Sequence, residues 1–122
     1  MKEIKPDKNA LLSDDELCMK IFERSIQILG GPKKIVSYKR LTWVASLLEA
    51  ALILVLKELK HKTIDEIAKE LGIATTTVRN VLNSDPEKAL KYINGESEEE
   101  PLHIAGGIAK KAFEELKKES LI

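Results

Sequence analysis

The sequence is poor in sulfur and in aromatic residues, and it carries no excess charge of either sign. Of its 122 residues only Cys18 is a cysteine, 4% are aromatic, and 20 basic residues balance 20 acidic ones. A single cysteine excludes an intrachain disulfide and any zinc site that needs several thiolates. The neutral balance is unusual for a nucleic-acid-binding domain, which generally has a basic excess.

A long uncharged hydrophobic run is also missing. The most apolar stretch, residues 41–56, contains Glu49 and is shorter than the roughly 18 apolar residues of a membrane-spanning helix. Residues 1–8 are mostly polar, without the apolar region or cleavage site of a secretory signal. We therefore expect no membrane association and a cytoplasmic location, with residues 41–56 in a buried helix.

Length and composition are typical of one globular domain. The hydrophobic fraction is 43% and the charged fraction is 33% over 122 residues, which suits a single core. Gln27 is the only glutamine, whereas lysine, glutamate and isoleucine are frequent. This bias is typical of thermophile proteins, which avoid thermolabile side chains.

The charges are separated along the chain. Between residues 31 and 62 seven basic residues face two acidic ones, whereas from residue 84 to the end nine acidic residues face six basic ones. The acidic residues are most concentrated at 96–100, where four of the five residues are glutamate. The basic segment therefore weakens the objection that the neutral total raises against a nucleic-acid partner.

Start and stop signals divide the chain into helices. Ser13 and Glu16 form a capping-box pattern before a wide apolar face, and residues 30–32 (Gly-Gly-Pro) end that helix. Asp85 followed by Pro86 marks another start. We expect an all-α domain of about six helices over residues 13–122, after a flexible leader at 1–12. The expected helices are at 13–29, 42–60 with Thr42 as the cap, 64–71, 75–83, 86–93 and about 102–120.

The last of these helices has an apolar stripe. Its members recur at spacings of three and four: Leu102, Ala105, Ala109, Phe113 and Leu116. Because small residues alternate with large ones, we expect the stripe to pack on the chain's own core, with a docking surface for a partner as the alternative. We interpret Gly106-Gly107 as a tight packing contact rather than a hinge, and no Walker pattern follows it.

Residues 64–83 carry the clearest motif. Ala68 is small where two helices must cross closely, and Gly72 stands where the chain must turn with a left-handed backbone conformation. The apolar residues on either side would face each other across the corner. We predict a helix-turn-helix here, with a helical hairpin that binds nothing as the alternative.

The second helix of this motif would present a polar outer face. With Val78, Val81 and Leu82 turned inward, the helical repeat leaves five residues outside: Thr75, Thr76, Arg79, Asn80 and Asn83. Arginine can bind guanine, asparagine can bind adenine, and threonine methyl groups can contact thymine. These residues are the candidates for reading DNA bases, and a solvated polar face is the alternative.

Contacts to DNA phosphates would come mainly from outside the motif. The basic residues that flank it in sequence are the candidates: Lys33, Lys34, Lys39, Arg40, Lys60 and Lys62. Lysine and arginine at such positions supply the sequence-independent part of DNA affinity. A solvated charged surface explains the same residues equally well.

Residues 64–83 resemble the helix-turn-helix of bacterial repressors and the related element in the second cyclin-like repeat of archaeal transcription factor B. With residues 47–56 and the tail at 103–110, the chain also resembles a small archaeal family encoded beside RecA-like ATPases of the KaiC type. That resemblance implies a regulatory partnership with such an ATPase and no ATP site in this chain.

No catalytic arrangement stands out. The two histidines, His61 and His103, lie far apart in sequence, and neither a nucleophile with its base nor a carboxylate pair can be identified. Glu49 is expected at the solvent edge of its helix or paired with a lysine. We expect no enzyme activity, no metal and no cofactor.

The sequence therefore predicts a transcriptional regulator that binds double-stranded DNA, as a homodimer because one short recognition helix gives little affinity. The alternative is a protein-binding adaptor. In that case the helix-turn-helix is only scaffold, and the acidic tail and last helix dock a KaiC-like ATPase.

Overall fold

The computed structural model describes residues 9–37, 44–96 and 103–122. Across these ranges the backbone forms seven α-helices and no strand, which confirms the expected all-α class. The helices are α1 (Asp14–Ile28), α2 (Pro32–Val36), α3 (Val44–Leu54), α4 (Ile64–Leu71), α5 (Thr75–Leu82), α6 (Pro86–Ile93) and α7 (Ile104–Lys118). A π-helical turn, Val55–Leu59, follows α3 directly.

Local side-chain chemistry sets both ends of α1. Ser13 Oγ accepts a hydrogen bond from the Glu16 N–H at 3.0 Å, and Glu16 Oε1 accepts one from the Ser13 N–H at 3.3 Å. After the helix, Gly30 and Gly31 have φ values of +100° and +94°, which a residue with a Cβ rarely adopts. The predicted capping box and glycine stop are both confirmed.

The start and end of α6 are also as expected. Asp85 Oδ1 accepts hydrogen bonds from the N–H groups of Glu87 and Lys88 at 2.9 and 3.3 Å. Pro86 occupies the first helical position, where its missing N–H costs nothing. The helix ends at Ile93, the last residue of the expected range 86–93.

The structure adds the short helix α2, which the sequence analysis left as part of a basic segment. Pro32 is pre-organised for its first turn, and Ile35 is its buried residue. Five residues are too few to show a helical repeat, so the periodicity could not reveal it. The predicted cap Thr42 lies outside the described residues.

The long central helix ends differently from expectation. The Lys60 N–H donates to the Val55 carbonyl at 3.0 Å, and the Lys62 N–H donates to the Leu56 carbonyl at 2.9 Å. These wider turns carry the chain out of α3 while Val55 and Leu56 stay buried. A single π-helical turn is too short to change the spacing of apolar residues, so the sequence pattern did not reveal it.

Helix α3 is central, with α1 and α7 packed against it. One core cluster joins side chains from α1, α3, α4, α5 and α7, and a second joins α2, α3, α6 and the first turns of α7. Phe113 and Leu116 of α7 belong to the first cluster. The described part of the α7 stripe therefore packs on the chain's own core, as expected, while Leu102 lies outside the described residues.

Two further sequence expectations touch the fold. Of the predicted leader at 1–12 the structure describes residues 9–12, where Asn9 is buried and Leu12 packs against the core. Among the described helices, none has the length and apolar character needed to cross a membrane.

Candidate nucleic-acid interface

Helix α4 begins at a second capping box. Thr63 Oγ1 accepts a hydrogen bond from the Glu66 N–H at 3.1 Å, and Glu66 Oε1 accepts one from the Thr63 N–H at 3.0 Å. The bond from the Thr63 backbone, followed by that of its side chain, lowers the pKa of Glu66 below the ordinary value. The sequence analysis missed this cap, although the Thr-x-x-Glu pattern of residues 63–66 is the one it recognised at 13–16.

The turn between α4 and α5 has the backbone that the motif requires. Gly72 has φ +68° and ψ +34°, in the left-handed region. The Ile73 N–H then reaches back to the Ala68 carbonyl at 3.0 Å, the bond that closes a Schellman-type helix end. Ala68 is buried, as expected for a residue where two helices approach closely.

Helix α5 divides into an inner and an outer face, as predicted. Val78 and Val81 are buried and Leu82 packs against the same core. Four of the five candidate base-reading residues are exposed and Thr75 is half-buried; the exposed four are Thr76, Arg79, Asn80 and Asn83. Arg79 Nη1 donates to Thr75 Oγ1 at 3.5 Å, a long bond that leaves the guanidinium available to a partner.

The C-terminal end of α5 is held by a residue that the sequence analysis did not single out. Lys110 Nζ of α7 donates to the carbonyl oxygens of Leu82 and Ser84 at 2.7 and 2.9 Å. An ammonium group at this position binds carbonyls left open at a helix end and suits the negative end of the helix dipole. Lys110 is one of many lysines in the sequence, so composition and spacing offered no signal for it.

The glycine pair of α7 packs against the connection between α5 and α6. A Cβ added at Gly106 would lie 2.2 Å from Ser84 Oγ, and one added at Gly107 would lie 2.7 Å from the Ala89 Cβ. A Cβ at Gly107 would also lie 2.8 Å from the Asp85 carbonyl oxygen, so this position requires glycine, whereas a Cβ at Gly106 would force the Ser84 side chain to move. The expected tight packing contact is present, and it seats α5 and α6 directly on α7.

Two of the candidate phosphate-binding lysines already have partners within the chain. Lys62 Nζ donates to Glu70 Oε1 at 2.8 Å, a bond that raises the pKa of Lys62. Lys60 Nζ lies 3.9 Å from Asp14 Oδ1 and donates to the Leu12 carbonyl. A phosphate group would have to compete with these oxygens for both lysines.

The other four candidates are distributed differently. Lys33 and Lys34 are exposed on α2, which packs against α1. Lys39 and Arg40 lie outside the described residues. The described structure therefore does not bring the basic candidates together into one patch.

The described residues contain no group of three or more histidine, cysteine or acidic side chains placed to hold a metal ion. Scans against family models, characterised proteins and solved structures found no match to this chain. The resemblances stated above therefore remain predictions that depend on residues 64–83 and on the tail at 103–110.

Proposed function

We propose that this protein is a DNA-binding transcriptional regulator in which α5 enters the major groove. One observation carries the proposal. The α4–α5 pair, joined by a left-handed Gly72, buries one face of α5 and leaves the polar Thr76, Arg79, Asn80 and Asn83 exposed. A short helix presented in this way is the element that helix-turn-helix proteins use to read base edges.

Each exposed side chain of α5 has a matching base. Arg79 can donate two hydrogen bonds to guanine, and Asn80 can exchange two with adenine. The Thr76 methyl group can contact the methyl group of thymine. Because Lys110 and the glycine pair of α7 anchor the far end of α5, these side chains project from a fixed support.

Non-specific affinity is expected to be low in this proposal. Lys60 and Lys62 are paired with Asp14 and Glu70, and the chain as a whole is neutral. Few phosphate contacts give a shallow dependence of affinity on salt. A homodimer that places two α5 helices on a two-fold site would supply the missing affinity.

The test is selection of bound sequences from a pool of random duplex DNA, with Arg79→Ala compared with wild type on the enriched site. We expect Arg79→Ala to lose roughly 1–3 kcal/mol on that site and little on unrelated DNA. Lys88→Ala, an exposed lysine of α6, is the control. A folded wild-type protein that enriches no sequence would contradict the proposal.

The role of Lys33 and Lys34 in this function is tested through salt. Reversing both charges should flatten the salt dependence of DNA affinity by about one unit for each phosphate that the variant no longer binds, on every sequence. An unchanged slope would remove both lysines from the interface.

A second candidate function, an adaptor that docks a RecA-like ATPase of the KaiC type, is favoured by a different observation. Met19 of α1 and Leu48 of α3 are 51% and 42% exposed, and Cys18 Sγ, beside Met19, contacts the Leu48 carbonyl at 3.6 Å. Exposed apolar side chains on neighbouring helices are suited to binding protein rather than DNA. An ATPase retained on the immobilised protein after nuclease treatment, and released by Met19→Glu, would support this candidate.

A further inference from the structure

A cleft of about 320 Å³ lies beside α5, between α3 and the first turn of α7. Its apolar lining includes Ala50, Val81 and Ile104. Five polar residues of the described ranges also line it, and none of them belongs to the buried core: Ser46, Glu49, Thr77, Asn80 and His103. This volume lies at the lower end of the range for small-molecule sites.

Glu49 is the unusual member of this set. It lies within α3, the most apolar helix of the chain, and is half-buried. In the part of the chain that the structure describes, no side chain forms an ion pair or hydrogen bond with its carboxylate. Of the two expected positions for Glu49, pairing with a lysine is not seen among the described residues, and Glu49 instead lines the cleft.

The other polar side chains of the cleft also lack hydrogen-bond partners among the described residues. The side chains of Ser46, Thr77, Asn80 and His103 form no hydrogen bond with any described residue. A half-buried carboxylate loses part of its hydration, which a cation restores most effectively. Hydroxyl, amide and imidazole groups around it can bind a second polar group on the same molecule.

We infer that this cleft binds a small organic cation, a primary ammonium compound with a polar group a few bonds away. The ammonium group donates to the Glu49 carboxylate. The polar group bonds to Thr77 or Asn80 across the cleft, and the alkyl chain between them covers Ala50 and Val81. Among the described residues that line the cleft, Glu49 is the one acidic side chain, so a monoamine suits it better than a polyamine.

This site bears on the proposed function because Asn80 lines the cleft and also belongs to the outer face of α5. A ligand that engages the Asn80 amide withdraws it from adenine, so occupancy lowers affinity for the specific DNA site. This second step depends on the proposed function, whereas binding of the cation does not. The two are measured separately.

Three probes of equal length differ at one end: 4-amino-1-butanol, 1,4-butanediol and 4-hydroxybutyrate. Each is titrated without DNA into the isotopically labelled full-length protein, and backbone amide shifts are followed by NMR. We expect the amine to shift the amides of residues 46–50, 77–81 and 103–106 with a dissociation constant at least about tenfold below that of the diol, as for a charge-assisted hydrogen bond. Equal binding of the diol would overturn the proposal. Preference for 4-hydroxybutyrate would overturn it too, because its carboxylate would then bind the N–H groups at the start of α7 and not Glu49.

Variants test whether the Glu49 carboxylate is the group that binds the amine. Glu49→Gln, which keeps the shape of the side chain, should weaken amine binding at least about tenfold, while Glu58→Gln, exposed in the turn after α3, should leave it unchanged. Ser46→Lys places an ammonium group one helical turn from Glu49 and should abolish binding without loss of fold. Unchanged binding in either cleft variant contradicts the proposal.

The regulatory step is tested on the enriched DNA site. Saturating 4-amino-1-butanol should weaken wild-type binding and have no effect on Glu49→Gln. If the amine binds but DNA affinity is unchanged, the proposed effect of amine binding on DNA affinity is wrong. If no DNA site exists, the NMR titration still decides whether the cleft binds the amine.

Discussion

The ammonium group of Lys110 lies 2.7 Å from the backbone carbonyl oxygen of Leu82, so a side chain of α7 closes the end of α5. A second bond, to the Ser84 carbonyl at 2.9 Å, extends this contact into the α5–α6 connection. Ser84 Oγ in turn donates to the Asn80 carbonyl at 2.8 Å. The exposed face of α5 is therefore positioned by residues far from it in sequence.

Removal of the Lys110 ammonium group should destabilise the protein. Lys110→Met keeps most of the aliphatic chain but leaves two partly buried carbonyls without their donor, which costs about 1–3 kcal/mol. Urea unfolding of Lys110→Met and of Lys111→Met, a half-buried neighbour, measures the difference. Equal stabilities of the two variants would show that the bonds contribute nothing.

A methyl group at Gly107 should destabilise the protein although it improves helix propensity. The added Cβ would lie 2.7 Å from the Ala89 Cβ and 2.8 Å from the Asp85 carbonyl oxygen. Overpacking of this kind costs roughly 1–3 kcal/mol, against a propensity gain of about 1 kcal/mol. We expect a lower Tm for Gly107→Ala and little change for Glu114→Ala on the exposed face of α7. A stabilised Gly107→Ala variant would rule out the close approach.

Substitutions at Gly72 should rank by backbone strain rather than by size. A Cβ at this position meets no atom within 4 Å, and φ is +68°, so the cost comes from the left-handed conformation alone. We expect losses of a few tenths of a kcal/mol for Gly72→Asn, about 1–2 for Gly72→Ala and more for the β-branched Gly72→Val. Denaturant unfolding gives the three values, and a Val variant as stable as wild type would contradict the motif assignment.

Truncation of Phe113 tests whether the apolar stripe of α7 packs in the chain's own core. Phe113 is 8% exposed within the main cluster, so Phe113→Ala should cost about 3–5 kcal/mol as a cavity forms. Met19→Ala, on the exposed side of α1, is the control and should cost little. A stable Phe113→Ala protein that loses self-association or ATPase binding would instead make α7 a docking surface.

Acid should weaken the contact between α1 and α7. Arg24 donates hydrogen bonds to Glu119 and to Glu115, and the bond to Glu119 lowers the pKa of Glu119 below its ordinary 4.5. A carboxylate with a lowered folded-state pKa stabilises the fold above its unfolded pKa, and this contribution is lost as pH falls through the folded value.

We therefore expect Arg24→Met to lower Tm at pH 7, with a difference from wild type that shrinks as pH falls below 4.5 and is lost as pH passes below the lowered pKa of Glu119. Thermal scans across this range measure it, with Lys88→Met as the control. A difference that is constant with pH would assign the loss to packing instead of charge.

The sequence by itself determined the features that arise between residues close along the chain. The capping boxes at Ser13 and Thr63, the Asp85-Pro86 start and the left-handed Gly72 depend on atoms two to five residues apart, so the pattern contains the whole cause. The inner and outer faces of α5 follow in the same way from the helical repeat.

Only the tertiary structure decided the contacts between distant residues. It paired Lys60 and Lys62 with Asp14 and Glu70, and it brought Lys110 to the end of α5. It also placed Glu49 in a cleft with Thr77 and Asn80. A charged side chain has the same local signature whether it meets a carboxylate, a carbonyl or solvent, because its partner is chosen by the packing of whole helices.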